Sequence, residues 1–480
     1  MEAKRLAGLE PAPVFGYFEE ICAIPHGSRN TKRISDYLVN FAREHGLRFI
    51  QDDAQNVILF ADGTCGMEEH PAVILQGHMD MVCEKDSDCP IDMAEEGLDV
   101  THDGNMVFAK GTTLGADNGI AVALALAILA DKTIPHPPLE VVITTEEEIG
   151  LLGATAIDLT PLKGRRLINL DSEGEGVFTV SCAGGGTSTI TLPVDRRATY
   201  GPCVRLKVDG LRGGHSGTEI DKNLANANKV MGEFLSRIQN LMPICLTTLA
   251  GGNKDNAIPR SCQATMVAMG IHLERINTIA EELQAEIREK YDEPDATVQA
   301  FDVDALGGNA LSAESTGRII GLISSHPNGV QAMSQDMDGL VQTSLNLGIV
   351  KLGDRFTAIS SVRSSVNAEK EALFAKLKSL AEMFDGSYSQ AGEYPAWEFR
   401  KESPLREIMV RVYRQMFGME PQVVALHAGL ECGLFSEKLP DLDSVSIGPQ
   451  MYDVHTTRER LEITSVERIW KYLLEVLKVL

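Results

Sequence analysis

Apolar positions in the first third of the chain follow two alternating patterns. Between Thr31 and His45 they fall at Ile34, Leu38 and Phe41, the spacing of one helix face, and Gly46 comes next as a stop signal. Elsewhere periodicity gives way to short continuous runs, at residues 72–75, 141–143 and 167–170. Such runs fit strands buried on both faces, as in a parallel sheet covered by helices. Between them residues 119–130, rich in Ala and Leu, predict a buried helix. Strand, helix and strand in this order predict a layered α/β domain with a mostly parallel sheet between helices.

The pattern changes near Cys182-Ala183-Gly184-Gly185-Gly186, whose glycine trio suits a hinge. Further on, Ile276, Ile279, Leu283 and Ile287 mark an amphipathic helix. A second irregular stretch, 384–397, contains Gly386, Gly392 and Pro395. The buried-strand pattern then returns at 445–447, and the chain closes on a helix with Val466, Ile469, Leu473, Leu474 and Leu477 along one face. The reading is a discontinuous domain of residues 1–186 and 395–480, with an α+β domain of residues 187–394 inserted into it.

Charge narrows the partners. The 480 residues carry 44 Lys+Arg against 68 Asp+Glu, a formal net charge of −24. That argues against nucleic acid or an anionic membrane surface, both of which are bound by basic patches. The longest apolar run, 120–130, is far short of the roughly 20 residues that span a bilayer. The first fifteen residues show no signal-peptide apolar core. Nine cysteines lie scattered without a C-x-x-C pair, which predicts reduced thiols and a cytoplasmic protein.

The candidate chemistry sits just past the buried strands. After 72–75 comes Gln76-Gly77-His78-Met79-Asp80, after 141–145 comes Glu146-Glu147-Glu148-Ile149-Gly150, and after 167–170 comes Asp171. After 445–447 a loop reaches His455, and Asp117 stands just before the buried helix. In parallel α/β sheets the ligand crevice lies at the carboxyl ends of the strands, so these residues converge on one edge. Imidazole nitrogens and carboxylate oxygens suit zinc, and a pair of metals needs a shared ligand. Asp117, with two oxygens, is the expected bridge. His78 and Asp171 would hold one metal, and Glu148 and His455 the other. Asp80 is placed to orient His78 from behind, and Glu147 is the expected general base. Taken singly, Asp117 reads as a helix N-cap, the Glu trio as a solvated helix start and Asp171 as a turn residue. Four strands ending in such residues, and the cost of burying carboxylates without a cation, favour the metal.

These segments, with Gly115-Ala116-Asp117-Asn118-Gly119 and Asn169-Leu170-Asp171, resemble the aminoacylase/carboxypeptidase/dipeptidase family of co-catalytic zinc metallopeptidases, in the same chain order and over essentially the whole length. Within it the chain is most similar to the bacterial Xaa-His (aminoacyl-histidine, carnosine-type) dipeptidases, through Gly210-Leu211-Arg212-Gly213-Gly214-His215-Ser216-Gly217, residues 251–260 and Leu426-His427-Ala428-Gly429-Leu430-Glu431-Cys432-Gly433. Three consecutive glutamates leave the base and ligand register open by one position; the family's Glu-Glu-x-Gly spacing assigns Glu147 and Glu148.

The resemblance implies two Zn2+ per chain, with Co2+ or Mn2+ able to substitute, and hydrolysis of dipeptides including β-alanyl-histidine. It implies that the insertion is a lid carrying a homodimer contact, and that His215 polarises the scissile carbonyl. Asn256 and Arg363 become candidates for the substrate carboxylate, with Gly429 beside them, although an ordinary exposed Arg is the plain alternative for Arg363. Glu431 either binds the substrate amine or supports the site from behind. His26, His45, His70, His102, His136, His272 and His326 lack strand-end context and are expected at the surface or in loops. The alternative reaction is deacylation of N-acyl amino acids at the same metal pair. A metal-free binding protein and a di-metal phosphoesterase fit less well, the latter because no basic cluster flanks the motifs.

Overall fold

The computed structural model describes residues 5–268, 273–303 and 308–480. It divides the chain into two compact units: Met1–Ser181, Phe399–Ala425 and Leu430–Leu480 form the first, and Cys182–Glu398 with Leu426–Gly429 the second.

The first unit is built on an eight-stranded mixed sheet among the described residues. Its middle holds four parallel strands, in the order Leu139–Thr144, Val73–His78, Arg166–Asn169 and Asp443–Ser446. Val73–His78 and Leu139–Thr144 are buried along their whole length, which is why they read as continuous apolar runs. Antiparallel strands flank this centre, Arg48–Gln51 and Val57–Ala61 on one side and Val177–Cys182 on the other. The helix Ala116–Ala130 is buried almost all round, and its Gly119 faces Phe18 and Ile21 of the helix Ala12–Cys22. The helix Lys32–His45 buries Ile34, Leu38 and Phe41 and ends at Gly46 in the left-handed conformation.

Among the described residues the second unit centres on a nine-stranded antiparallel sheet with helices packed on it, an α+β arrangement. Ile276, Ile279, Leu283 and Ile287 of the helix Leu273–Tyr291 enter its core with Phe234, Leu246 and Phe356.

Two expectations need correction. The glycine trio is not an irregular joint but the start of the strand Gly184–Pro193, paired on both sides. A Cβ at Gly184 would strike the backbone at Pro395 and Ala396, and one at Gly185 would reach the Tyr394 hydroxyl; close packing demands the glycines. The supposed irregular stretch 384–397 holds a strand, Ser387–Tyr394, at the sheet's edge. Its side chains are exposed or half-buried on both faces, so no apolar alternation announces it.

Three of the remaining histidines lie in loops, as expected, but are buried there. His26, His136 and His326 are each 2% exposed, and each ring Nδ1 contacts a backbone carbonyl. His272 lies outside the described residues. Among the described residues no helix is long and apolar enough to cross a membrane.

Candidate metal centre

His78 ends the central strand and is buried. Its position depends on Asn118: the Asn118 Oδ1 accepts the His78 N–H at 3.2 Å, and the Asn118 Nδ2 donates to the Leu170 carbonyl at 3.0 Å. One amide thus ties two strand ends to the start of the helix. Gly77 is required there, because a Cβ would collide with the Asn118 side chain and sit 2.9 Å from Ala121.

The His78 Nδ1 lies 3.0 Å from the Asp80 carbonyl oxygen and 3.5 Å from its carboxylate. The backbone contact is the shorter, and either fixes the ring so that Nε2 points into the cluster. The Asp80 carboxylate accepts from the Glu147 N–H at 3.0 Å, from the Glu148 N–H at 3.4 Å and from the Ser28 hydroxyl at 2.8 Å. It therefore clamps the turn that carries both glutamates. That turn is not a helix start; the next helix begins at Leu152.

The five side chains read as ligands come together. The His78 Nε2 is 3.2 Å from the Asp117 Oδ1 and 3.5 Å from the Asp171 Oδ1, with the Glu147 Oε2 at 3.9 Å. The His455 Nε2 is 3.2 Å from the Asp117 Oδ2 and 3.1 Å from the Glu148 Oε1. Each oxygen of Asp117 thus faces a different histidine. One donor atom each from His78, Asp117 and Glu148 lies within 4.8 Å of the others.

The electrostatics show what is missing among these groups. Burial pushes the Asp171 carboxyl up to about 7, helped by the charges of Asp117 and Glu148. Burial, with Asp171, Glu431 and Glu148, raises Glu147 well above the usual carboxylate range. Burial opposes ionisation of Asp117 too, yet contacts with His455 and His78 hold it well below that range. The same contacts, with Asp117 and Glu148, push His455 up to about 11. Without a metal, these acids favour the protonated form of both imidazoles. Among the described ion pairs, no lysine or arginine reaches Asp80, Asp117, Glu147, Glu148 or Asp171. Nitrogen and oxygen donors crowded around an uncompensated negative charge fit divalent cations of the zinc type.

Two features escaped the sequence reading. A chain of buried polar side chains crosses the parallel strands beneath the cluster. Ser446 donates to Asn169, Asn169 to Gln76 at 2.5 Å, and Gln76 and Thr144 to Glu431 at 2.5 and 2.7 Å. Glu431 is fully buried there, with its Oε1 unpaired among the described residues. The second feature is Glu459, whose carboxylate faces the backbone N–H groups of residues 114–117. The Asp117 carboxylate faces His78 and His455, and the backbone at Asp117 and Asn118 is not helical.

His215, Asn256, Arg363 and Gly429 belong to the second unit. His215 pairs with Ala257 between the short strands Gly214–His215 and Ala257–Ile258, which sets it beside Asn256. Its Nδ1 accepts from the N–H groups of Gly217 and Thr218 at 3.2 and 3.1 Å, so the neutral ring carries its proton on Nε2. Burial and the nearby Arg363 lower the His215 pKa and favour that neutral form. Arg363 is 9% exposed and donates to the Tyr394 hydroxyl at 3.2 Å; it is not the exposed arginine of the plain alternative. Tyr394 also lies against Gly429, where a Cβ would come within 2.8 Å of its ring. His427 meets the Ser344 hydroxyl through Nε2 at 2.7 Å.

Known proteins match this architecture. The model of peptidase family M20/M25/M40 matches residues 74–479. The cytosol non-specific dipeptidase of Escherichia coli (strain K12) is 37% identical over 478 residues, covering 98% of each chain. The crystal structure of aminoacylhistidine dipeptidase from Vibrio alginolyticus superposes with a TM-score of 0.92 at 35% identity, covering 99% of this chain and 98% of that one. Aminopeptidase PepT from Bacillus cereus shares the fold, with a TM-score of 0.55 at 15% identity and 98% coverage of both chains. A family match across most of the chain, and a relative aligned from end to end, agree with a cluster of histidines and carboxylates at the strand ends: the chain belongs to peptidase family M20/M25/M40, and it is a metal-dependent peptidase.

Proposed function

We propose that the chain hydrolyses dipeptides, Xaa-His dipeptides such as β-alanyl-histidine among them, at a site of two zinc ions with Glu147 as general base. The observation that carries this is Asp117, whose two oxygens face two histidines from different parts of the sequence. That is the arrangement a bridging ligand requires. His78 and Asp171 would hold one ion, Glu148 and His455 the other, and Asp117 both. The metals supply Lewis-acid stabilisation and lower the pKa of water to about 7.

The remaining steps belong to the protein. Burial and neighbouring acids raise the proton affinity of Glu147. That suits its carboxylate to take a proton from the attacking water and deliver it to the leaving amine. The Asp80 carboxylate holds the Glu147 backbone in place through the turn N–H groups. His215, with its proton on Nε2, serves as donor to the scissile carbonyl. Asn256, Arg363 and Gly429 bind the substrate carboxylate end, Arg363 through a bidentate pair. Glu431 supports the site from behind, consistent with its complete burial.

Dipeptide specificity is supported by the names of both full-length relatives, a non-specific dipeptidase and an aminoacylhistidine dipeptidase. The second unit serves in this reading as a lid with a homodimer contact, and the protein works in the cytoplasm. The test is a panel of free-amine dipeptides and N-acylated amino acids against zinc-loaded protein, with metal content measured in parallel. Hydrolysis of Xaa-His dipeptides with about two zinc per chain supports the proposal. Turnover confined to N-acyl amino acids would reassign the chain as a deacylase, and sedimentation as a monomer would remove the dimer.

A further inference from the structure

His455 is the most exposed member of the cluster. It lies in the turn between the short paired strands Met451–Tyr452 and Arg460–Glu462, with its side chain 48% exposed and its backbone left-handed at φ 62°. Four residues on, Glu459 is 3% exposed and reaches out of the same turn. Its Oε2 accepts from the N–H groups of Leu114 and Gly115 at 2.8 and 3.1 Å. Its Oε1 accepts from those of Ala116 and Asp117 at 2.8 and 3.4 Å. Gly115, at φ 67°, curls the backbone so that successive N–H groups converge, a nest for an anion. Among the described ion pairs none involves Glu459, so backbone dipoles alone answer its charge.

An ordinary N-cap is a serine, threonine, asparagine or aspartate directly preceding the helix. Here the cap is a buried carboxylate set beside another acid, and it comes from more than 340 residues away. Its placement makes one rigid piece of two segments that each supply a donor to the same position, Asp117 from one and His455 from the other.

We propose that Glu459 is a positioning residue that fixes Asp117 against His455 and so sets how tightly the Glu148–His455 position holds its metal. This rests on the two-metal reading above. The Asp117 contact to His78 is secured independently, because Asn118 ties that side to the strand ends. The two positions therefore respond differently when Glu459 is altered.

The experiment titrates zinc into metal-free parent, Glu459→Gln and Glu459→Asp against a chromophoric chelator, with circular dichroism and dipeptide kinetics on the same samples. Gln keeps the shape but turns an N–H donor toward the backbone donors, and Asp keeps the charge but falls one methylene short. The expected result is a second zinc equivalent held about tenfold or more weaker, with the first within about twofold of the parent. At limiting zinc kcat falls, at excess zinc it recovers, and KM for the dipeptide stays unchanged. If Glu459→Gln does not fold, Glu459→Asp carries the same measurement. A second-equivalent isotherm matching the parent's, or equal weakening of both equivalents, overturns the proposal. Parent protein that takes up only one zinc refutes the two-metal reading itself, whatever Glu459 does.

Discussion

Glu431 allows a quantitative test of the electrostatics beneath the cluster. It is fully buried, with two donors on one oxygen and none on the other among the described residues. Burial pushes its carboxyl from an ordinary 4.5 up to about 8. In metal-free protein the folded state therefore keeps its proton at neutral pH, while the unfolded chain has lost it. The stability this contributes is fully present below pH 4.5 and is lost as the pH rises through about 8. At about 1.4 kcal/mol per decade the whole interval amounts to about 5 kcal/mol. Glu431→Gln retains the acceptor for Gln76 and Thr144 but cannot ionise. Urea unfolding of chelator-treated parent and variant at about pH 5 and about pH 9 isolates most of the effect. The parent loses about 4 kcal/mol more than the variant between those two conditions. Restored zinc shrinks the loss, because cations nearby favour the ionised form. If parent and variant fall in parallel within about 1 kcal/mol, ionisation of Glu431 has no such cost and the reasoning fails.

Other outcomes rest on the same contacts. Glu147→Gln lowers kcat by about a hundredfold or more while zinc content and KM hold, as steady-state kinetics with metal analysis would show. His326, buried between the Pro327 carbonyl and the Ser360 hydroxyl, is pushed down by burial to about 4. The unfolded chain then gains a proton near pH 6.5 that the fold refuses until about 4, so stability falls over that window by about 3 kcal/mol, and His326→Gln removes the slope in acid unfolding curves. Gly153→Ala drives a Cβ into the Thr145 backbone and to 2.5 Å from the Asn56 Oδ1, under the turn bearing Glu147 and Glu148. Thermal melts will show it destabilised by about 1–3 kcal/mol.

The sequence made legible those features whose signal is local. Strands buried on both faces appear as apolar runs, and the residues directly after each run are the side chains at the strand end; His78, Glu148 and Asp171 were readable for that reason. Helical spacing marked Ile276 to Ile287 correctly for the same reason. Long-range or two-sided features were not readable. The strand Ser387–Tyr394 is an edge strand without a buried face, so no period marks it. Glu459 sits in a polar turn, and its meaning lies in N–H groups hundreds of residues earlier. The polar chain from Ser446 to Thr144 is broken over four strands that are far apart in the sequence, so nothing local shows that their polar residues meet. The burial of His26, His136 and His326 within their loops was not readable, because a backbone carbonyl, the partner each uses, leaves no mark in a sequence.

The strand Asp443–Ser446 lies between Arg166–Asn169 and Val177–Cys182, which are near neighbours in the chain but not in the sheet. During synthesis the ribosome makes both flanking strands and then the whole second unit before it reaches the strand that joins them. At roughly 5–20 residues per second, the delay is on the order of 15–50 s. Throughout that interval a partial sheet ending at Arg166–Asn169 and the strand Val177–Cys182 stand with open edges, and His78, Asp117, Glu148 and Asp171 wait for a partner. The second unit, already emerged, has time to fold. The nascent chain is thus most exposed to mispairing late in translation, and a chaperone would be needed there rather than at the start.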